Sequence, residues 1–322
     1  MKKFLFLAGL AASGFLAANA ALAQNYPSRS VRIIVPFGPG GPADVYARVI
    51  GEQLSKTMGQ NFVIENRPGA GAVIGTNEAA KATPDGHTLL MMSNTHATNE
   101  TLIANKPYDL MRDFAPVAPV NFSDLVMVVH PSLKVKTLQE FIALAKSKPN
   151  GLNYASSGPG TPYHMAGELF KYMTKTEIVH VPYKSSGGMR NDVLAGHVHM
   201  AFDAVTTMTP NIETGKVIAL GASGASRAGV LPNVPTLAEA GVPGYSATIW
   251  LGIMAPKNTP AAIVARLNSE INKVQNSAEI KSAWAKQGAE PYNMTPAQFE
   301  DFLKVEIKKW GDVVRAAGLL NK

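Results

Sequence analysis

Cysteine is absent from the 322 residues, which excludes disulfides, cysteine–zinc sites and thiol chemistry. Long apolar runs are also missing beyond the N-terminal stretch. No later segment reaches the roughly eighteen consecutive apolar residues of a membrane span. Positive charge is dispersed: the formal net charge is +7, yet no run of Lys or Arg exceeds Lys308-Lys309. That pattern excludes a nucleic-acid footprint and is compatible with small anionic ligands. Nucleotide loops are lacking too. Gly38-Pro39-Gly40-Gly41 is not followed by Gly-Lys-Ser/Thr, and it does not fit G-x-G-x-x-G.

Residues 1–23 read as a signal peptide and not as part of the fold. Lys2-Lys3 is a basic start, Phe4–Ala18 an apolar stretch broken by small residues, and Ala21-Leu22-Ala23 an A-x-A cleavage signal. Cleavage after Ala23 takes 23 of 322 residues and leaves 299, enough for two ordinary domains. It also removes Lys2 and Lys3, taking the charge from +7 to +5. No cysteine follows the small residues, so no lipid anchor is expected. Export without cysteine fits a bacterial periplasm.

The stretch Val31–Arg48 organises the rest. Val31–Val35 is a β-branched run suited to a strand buried on both faces, and Pro36 ends it. A glycine-rich turn follows. Pro42 suits a first helical position, and Asp44 lies in the first turn, where the helix dipole favours an acid. A strand, a glycine turn and a helix start together aim N–H groups at one spot that attracts carboxylate or phosphate. An ordinary βα turn whose glycines serve geometry is the alternative.

The pattern recurs along the chain. Phe62–Glu65 reads as a strand leading into Asn66–Ala72, a second glycine-rich loop, and then a helix over 73–82. Thr88–Met92 reads as a strand ending in a polar loop, Ser93-Asn94-Thr95-His96. Leu125–Val129 is a further strand, and Thr137–Glu140 fits a capping box. Leu152–Ala155 leads into Ser156-Ser157-Gly158-Pro159-Gly160-Thr161-Pro162, a repeat of the opening pattern with Thr161 as N-cap. Strands follow at Glu177–Val181, His199–Asp203, Val217–Gly221 and Ile249–Ala255, with a short helix capped by Thr236 and Glu239. From Thr259 onward the chain reads as helical.

This alternation predicts an α/β fold of two lobes with helix starts facing each other across a cleft. The chain crosses between lobes near Asp124 and again near Ile249, and the C-terminal helices pack on lobe 1. Lobe 1 is then 24–124 plus 249–322, and lobe 2 is 125–248.

Taken together, several motifs resemble the periplasmic receptors of tripartite tricarboxylate transporters, the Bug-type solute-binding proteins. They are Pro36–Gly41 with Asp44, Glu65–Gly71, Pro84–Leu89, Ser156–Gly158 with Thr161 and His164–Glu168, Val181–Lys184, Phe202-Asp203 and Leu231–Thr236. The resemblance covers essentially the whole mature chain. It implies a type II periplasmic binding protein, a Venus flytrap that closes on a small organic anion and delivers it to integral membrane transporter subunits. The anion classes it allows are di- or tricarboxylates, acidic amino acids and aromatic acids. It further implies no catalysis, no cofactor, no nucleic-acid partner and a monomer. Carried over by position, the ligand contacts are Phe37, Gly40, Gly41, Ala70, Gly71, Ser93, Asn94 and Thr95 from lobe 1. Ser156, Ser157, Gly158, Thr161 and Asp203 come from lobe 2. Pro42 and Ala72 depart from the glycines usual there.

Two other functions compete on the residues alone. A hydrolase would use Ser156 or Ser157 with His164 and Asp203, although G-x-S-x-G is absent. A binding fold that partners a sensor kinase is the other. His164 and Glu168, four apart on a helix, form a metal pair or a structural one. Asp203 reads either as an acceptor for a ligand amine or hydroxyl or as a turn cap.

Overall fold

The computed structural model describes residues 26–320, so the signal-peptide reading and the cleavage after Ala23 lie outside the described residues. In chain order the elements are β1 Val31–Val35, α1 Pro42–Met58, β2 Phe62–Asn66, α2 Val73–Ala80, β3 Thr88–Ser93, α3 Asn94–Leu102 and α4 Leu110–Asp113. The long strand β4 Phe114–Val129 follows, then α5 Leu138–Ser147, β5 Asn153–Ser156, α6 Pro162–Thr174, β6 Val179–Pro182 and α7 Ser186–Leu194. The chain continues through β7 Met200–Ala204, α8 Val205–Glu213, β8 Ile218–Ala222 and β9 Thr248–Pro256. It ends with α9 Ala261–Gln275, α10 Ala278–Ala285, β10 Ala289–Pro291 and α11 Pro296–Ala316.

A single curled sheet runs β2-β1-β3-β9-β4-β7-β5-β6, with β8 and β10 also pairing β4. Its two halves repeat one plan. β1 lies parallel to β2 and β3, and β5 lies parallel to β6 and β7. An antiparallel strand then closes each set, β9 on β3 and β4 on β7. This is the two-lobed architecture of periplasmic binding proteins, and β4 joins its halves. β4 pairs β9 as far as Asp124↔Thr248 and takes β7 as partner from Leu125↔Ala204.

Apolar alternation places the layers. Ile33 and Val35 enter one core with Tyr46, Ile50 and Leu54 of α1 and Leu267 and Ile271 of α9. Ile34 points the other way, into a core shared with Met92, Ala97, and Phe299, Leu303 and Trp310 of α11. β1 is thus buried on both faces, as parallel strands between helical layers are. α9 and α11 pack on the first half, and α11 also touches α6 of the second.

Four local readings are corrected. Ser93–His96 is not a loop: Ser93 ends β3 and caps α3 directly, while the His96 ring accepts the Ser93 N–H. β4 begins eleven residues before Leu125, because Pro116 and Pro119 sit at shifts in the β4–β9 register and do not break the strand. Thr236 and Glu239 do exchange capping hydrogen bonds, but the turn they start stops at Gly241 after one cycle. The C-terminal segment is not wholly helical, since β10 pairs β4 through Glu290↔Phe122.

Candidate functional site

A cavity of about 530 Å³ lies between the two halves of the sheet. Its walls include Gly41, Ala72, Ser93, Thr161 and Ser185. Each of these is the N-cap of a helix: α1, α2, α3, α6 and α7 respectively. Five helix starts therefore converge on one space. Each contributes backbone N–H groups without helical partners and the positive end of a dipole, so the space is built for an anion.

Local sequence explains each start. α1 and α6 both open on proline, Pro42 and Pro162, whose missing N–H costs nothing there. Ser185 accepts the Gly188 N–H and Thr161 the His164 N–H. α2 starts differently: Ala70 (φ 48) and Ala72 (φ 76) stand in the left-handed region, where a Cβ is strained.

The rims meet around the cavity. Gly41 faces Ser186, and Gly71 faces the Pro159 carbonyl. At Gly160 (φ +74), a Cβ would come within 2.8 Å of Leu102 across the cleft. β9 supplies the floor by alternation: Ile249 and Leu251 line this cavity. Thr248 and Trp250 line a separate hollow, and Trp250 Nε1 donates to Glu306 Oε2 at 2.6 Å.

Of the residues singled out in the sequence, the cavity brings together Phe37, Gly41, Ala70, Gly71, Ser93, Ser157, Gly158 and Thr161. Five others lie off its walls. The Gly40 N–H turns onto Asp44 Oδ2 at 2.9 Å. Asn94 stitches α3 to β9, donating to the Thr248 carbonyl and accepting the Trp250 N–H, each at 2.9 Å. Thr95 is buried in the first turn of α3. Ser156 is fully buried; its Oγ accepts the Gly158 N–H at 3.1 Å and meets His180 Nε2 at 2.6 Å. Asp203 is fully buried in an ion pair with Arg190, at 2.7 and 3.2 Å, and accepts the Ala204 N–H. Asp203 is therefore neither a free acceptor nor a simple turn cap.

Sequence reasoning missed Tyr183, Ser185 and Ser186 at the start of α7 and, on the floor, Ile249 and Leu251. The signal for the first group was present: Ser185 lies three residues before Gly188 in a polar, glycine-bearing stretch, a serviceable N-cap. The floor residues carry no local signal.

The buried polar groups brace the turns. His164 Nδ1 accepts the Gly160 N–H at 3.1 Å, and its ring lies 4.1 Å from that of His180. Burial pushes His180 down to about 3, with His164 and Lys171 adding to the effect. Burial, then Lys171, pushes His164 down to about 4. Both rings are neutral and act as struts. Glu168 accepts from the Tyr154 hydroxyl at 2.7 Å and from Lys171 at 2.8 Å, a structural role. No group of three metal-ligating side chains occurs among the described residues. Ser156 and His180, in contact with each other, are not among the residues that line the cavity, and Asp203 is held elsewhere by Arg190.

Fold and cavity together define a two-lobed solute-binding protein. The model of the tripartite tricarboxylate transporter family receptor matches residues 46–319. The chain is 38% identical to protein BugT of Bordetella pertussis, over 96% of this chain and 97% of that one. It superposes on an R. palustris protein solved with adipate with a TM-score of 0.87 and 36% identity, covering 91% of this chain and 98% of that one. MatC from Rhodopseudomonas palustris, solved with malate, gives a TM-score of 0.84 and 32% identity, covering 90% and 100%. The chain belongs to the tripartite tricarboxylate transporter receptor family and is a periplasmic solute-binding receptor of the Bug type. Among the described residues no helix is long and apolar enough to cross a membrane.

Proposed function

We propose that this receptor captures a small carboxylate in the cavity between its lobes and hands it to the membrane subunits of a tripartite transporter, without chemically altering it. The observation that carries this reading is the convergence of five helix N-caps on one cavity. The carboxylates bound in two of the related structures support it. On this reading the mature protein begins after Ala23. Residues 24–124 with 249–322 form one lobe and residues 125–248 the other, and they close about β4 and β9. Gly41, Ala70, Gly71, Ser93, Ser157, Gly158 and Thr161 contact the ligand, joined by Ser185 and Ser186. Charge-assisted N–H···O⁻ bonds hold the acid, and closure strengthens them by excluding water. A hydrolase is not favoured: the Ser156 hydroxyl is committed to the loop that it braces, and the family matched is one of receptors.

A thermal-shift screen of ligand-free protein against mono-, di- and tricarboxylates tests the reading. An acid at about a hundred times its dissociation constant adds roughly 2.7 kcal/mol to the native state and raises the melting midpoint. Turnover of a bound acid or ester would count against a pure receptor. No shift with any acid would remove the reading.

A further inference from the structure

The cavity that accepts an acid is built to refuse an amine. Its side-chain polar groups are hydroxyls, on Ser93, Ser157, Thr161, Ser185 and Ser186 and on two tyrosines, together with one ammonium, Lys184. No carboxylate, carboxamide or imidazole is among the described residues that line it. Asp203, the carboxylate that a ligand amine would need, is neutralised by Arg190 and buried away from the walls. Three of the turn carbonyls are engaged as well. Gly158 O accepts the Ser156 and Thr161 hydroxyls at 3.2 and 2.7 Å. Gly71 O accepts Asn99 Nδ2 at 2.8 Å, and Phe37 O accepts Asn66 Nδ2 at 3.1 Å. An ammonium enclosed here would meet five positive helix ends and Lys184 with no counter-charge. A buried unpaired charge is among the costliest arrangements a protein interior holds.

The remaining wall is hydrocarbon. Phe37, Pro68, Pro159, Tyr163, Ile249 and Leu251 surround the space between the helix starts. At about 530 Å³ before any closure, the cavity falls within the range of small-molecule pockets. We infer that the ligand is an amine-free carboxylic acid with a hydrocarbon body, aliphatic or aromatic, and that amino acids are excluded by the cavity's charge pattern. This inference rests on the receptor reading above and narrows it.

The test is calorimetric titration of the ligand-free protein with matched pairs that differ by one amino group: adipate and 2-aminoadipate, glutarate and glutamate, 3-phenylpropanoate and phenylalanine. Malate and citrate complete the panel. The expected result is that at least one hydrocarbon-bodied acid binds, with its amino partner at least a hundredfold weaker. It should also outbind malate and citrate. An amino acid that binds as tightly as its amine-free partner would overturn the exclusion, and malate or citrate binding tighter than every hydrocarbon-bodied acid would overturn the hydrocarbon body. Absence of binding by every acid and amino acid would instead overturn the receptor reading, and this inference with it. Lys184→Glu supplies the missing carboxylate on the wall and is expected to shrink the discrimination within a pair severalfold. An unchanged ratio would overturn the charge argument.

Discussion

The two lobes present their N–H groups to the cavity in the same way but hold the presenting turns by different means. In lobe 1 the turns are held largely by backbone and amides. Asn66 and Asn99 donate to the Phe37 and Gly71 carbonyls, and Ala70 and Ala72 hold left-handed conformations. The carboxylate at the first of these turns, Asp44, accepts the Gly40 N–H. Burial works against its ionisation, yet Arg48, the Gly40 N–H and Asn66 together hold its pKa below the usual carboxylate range. In lobe 2 the turn Ser157–Thr161 rests on titratable side chains: His180 on Ser156, and His164 on the Gly160 N–H. Arg190–Asp203 locks the neighbouring strand end. One geometry thus has two supports: lobe 2 leans on two neutral imidazoles, lobe 1 mainly on amides with one neutral imidazole, His96, at the Ser93 turn.

Acid should break that parity most strongly. An unfolded chain protonates its histidines near pH 6.5. His164 and His180 in the folded protein resist until about 4 and about 3. Between pH 6.5 and 4 the unfolded state therefore binds more protons, and stability falls as pH falls, by on the order of 3 kcal/mol per histidine at the limit. His96, buried beside Ser93 and pushed down to about 4 by burial, adds to the same slope from lobe 1. Urea unfolding at pH 7, 5.5 and 4 reads it. His164→Gln with His180→Gln should flatten much of the slope in this window, whereas Asp44→Asn should leave it unchanged. A slope indifferent to the two histidine substitutions would show that lobe 2 is not braced as described.

Next in size is the ion pair. Arg190→Met leaves the fully buried Asp203 carboxylate uncompensated, which typically costs about 3–5 kcal/mol. Arg190→Met with Asp203→Leu should recover most of that loss, because the charge and its partner leave together. Denaturant midpoints of the two variants decide it. If the double variant is no better than the single, packing and not charge is what the pair supplies.

Such pairs explain how much could be read from residues alone. The β1–α1 unit was legible because its evidence is local: a β-branched run, a proline stop, glycines, a proline at the helix start and an acid one turn in. Thr161 as a cap was legible for the same reason. Asp203 was not, since its partner Arg190 lies on another element and nothing in Phe202-Asp203 announces it. The resemblance offers Ser156 and Ser157 alike, and strand alternation does not say which of two adjacent serines faces inward. The fold sends Ser157 to the wall and Ser156 to His180. Ile249 and Leu251 became floor residues only once β9 crossed between the halves.

The adjacent serines give a smaller and more selective prediction. Ser157→Ala removes a hydroxyl on the cavity wall. It should weaken ligand binding by about 1–1.5 kcal/mol, roughly tenfold, with little change in melting temperature. Ser156→Ala instead removes the partner of the part-buried Gly158 N–H and His180 Nε2 and should cost about 1–2 kcal/mol of stability. If calorimetry and thermal melts gave the two variants the same profile, the division of labour between wall and brace would be wrong.

The smallest effect tests the lobe 1 side of the comparison. Ala72, the N-cap of α2, sits at φ 76 with its side chain buried. A left-handed alanine costs about 1–2 kcal/mol, and glycine at that position avoids the clash but gives back roughly 0.5–1 kcal/mol in unfolded-state entropy. Ala72→Gly should therefore stabilise the protein by no more than about 1 kcal/mol, seen as a slightly raised denaturant midpoint. Its effect on binding separates two readings of the strain. If the Cβ only strains the loop, affinity holds or rises as stability does. If the Cβ is part of the hydrocarbon wall that the ligand touches, stability rises while affinity for a hydrocarbon-bodied acid falls. The strain is then kept because it serves the pocket, as strained backbone at binding sites often is.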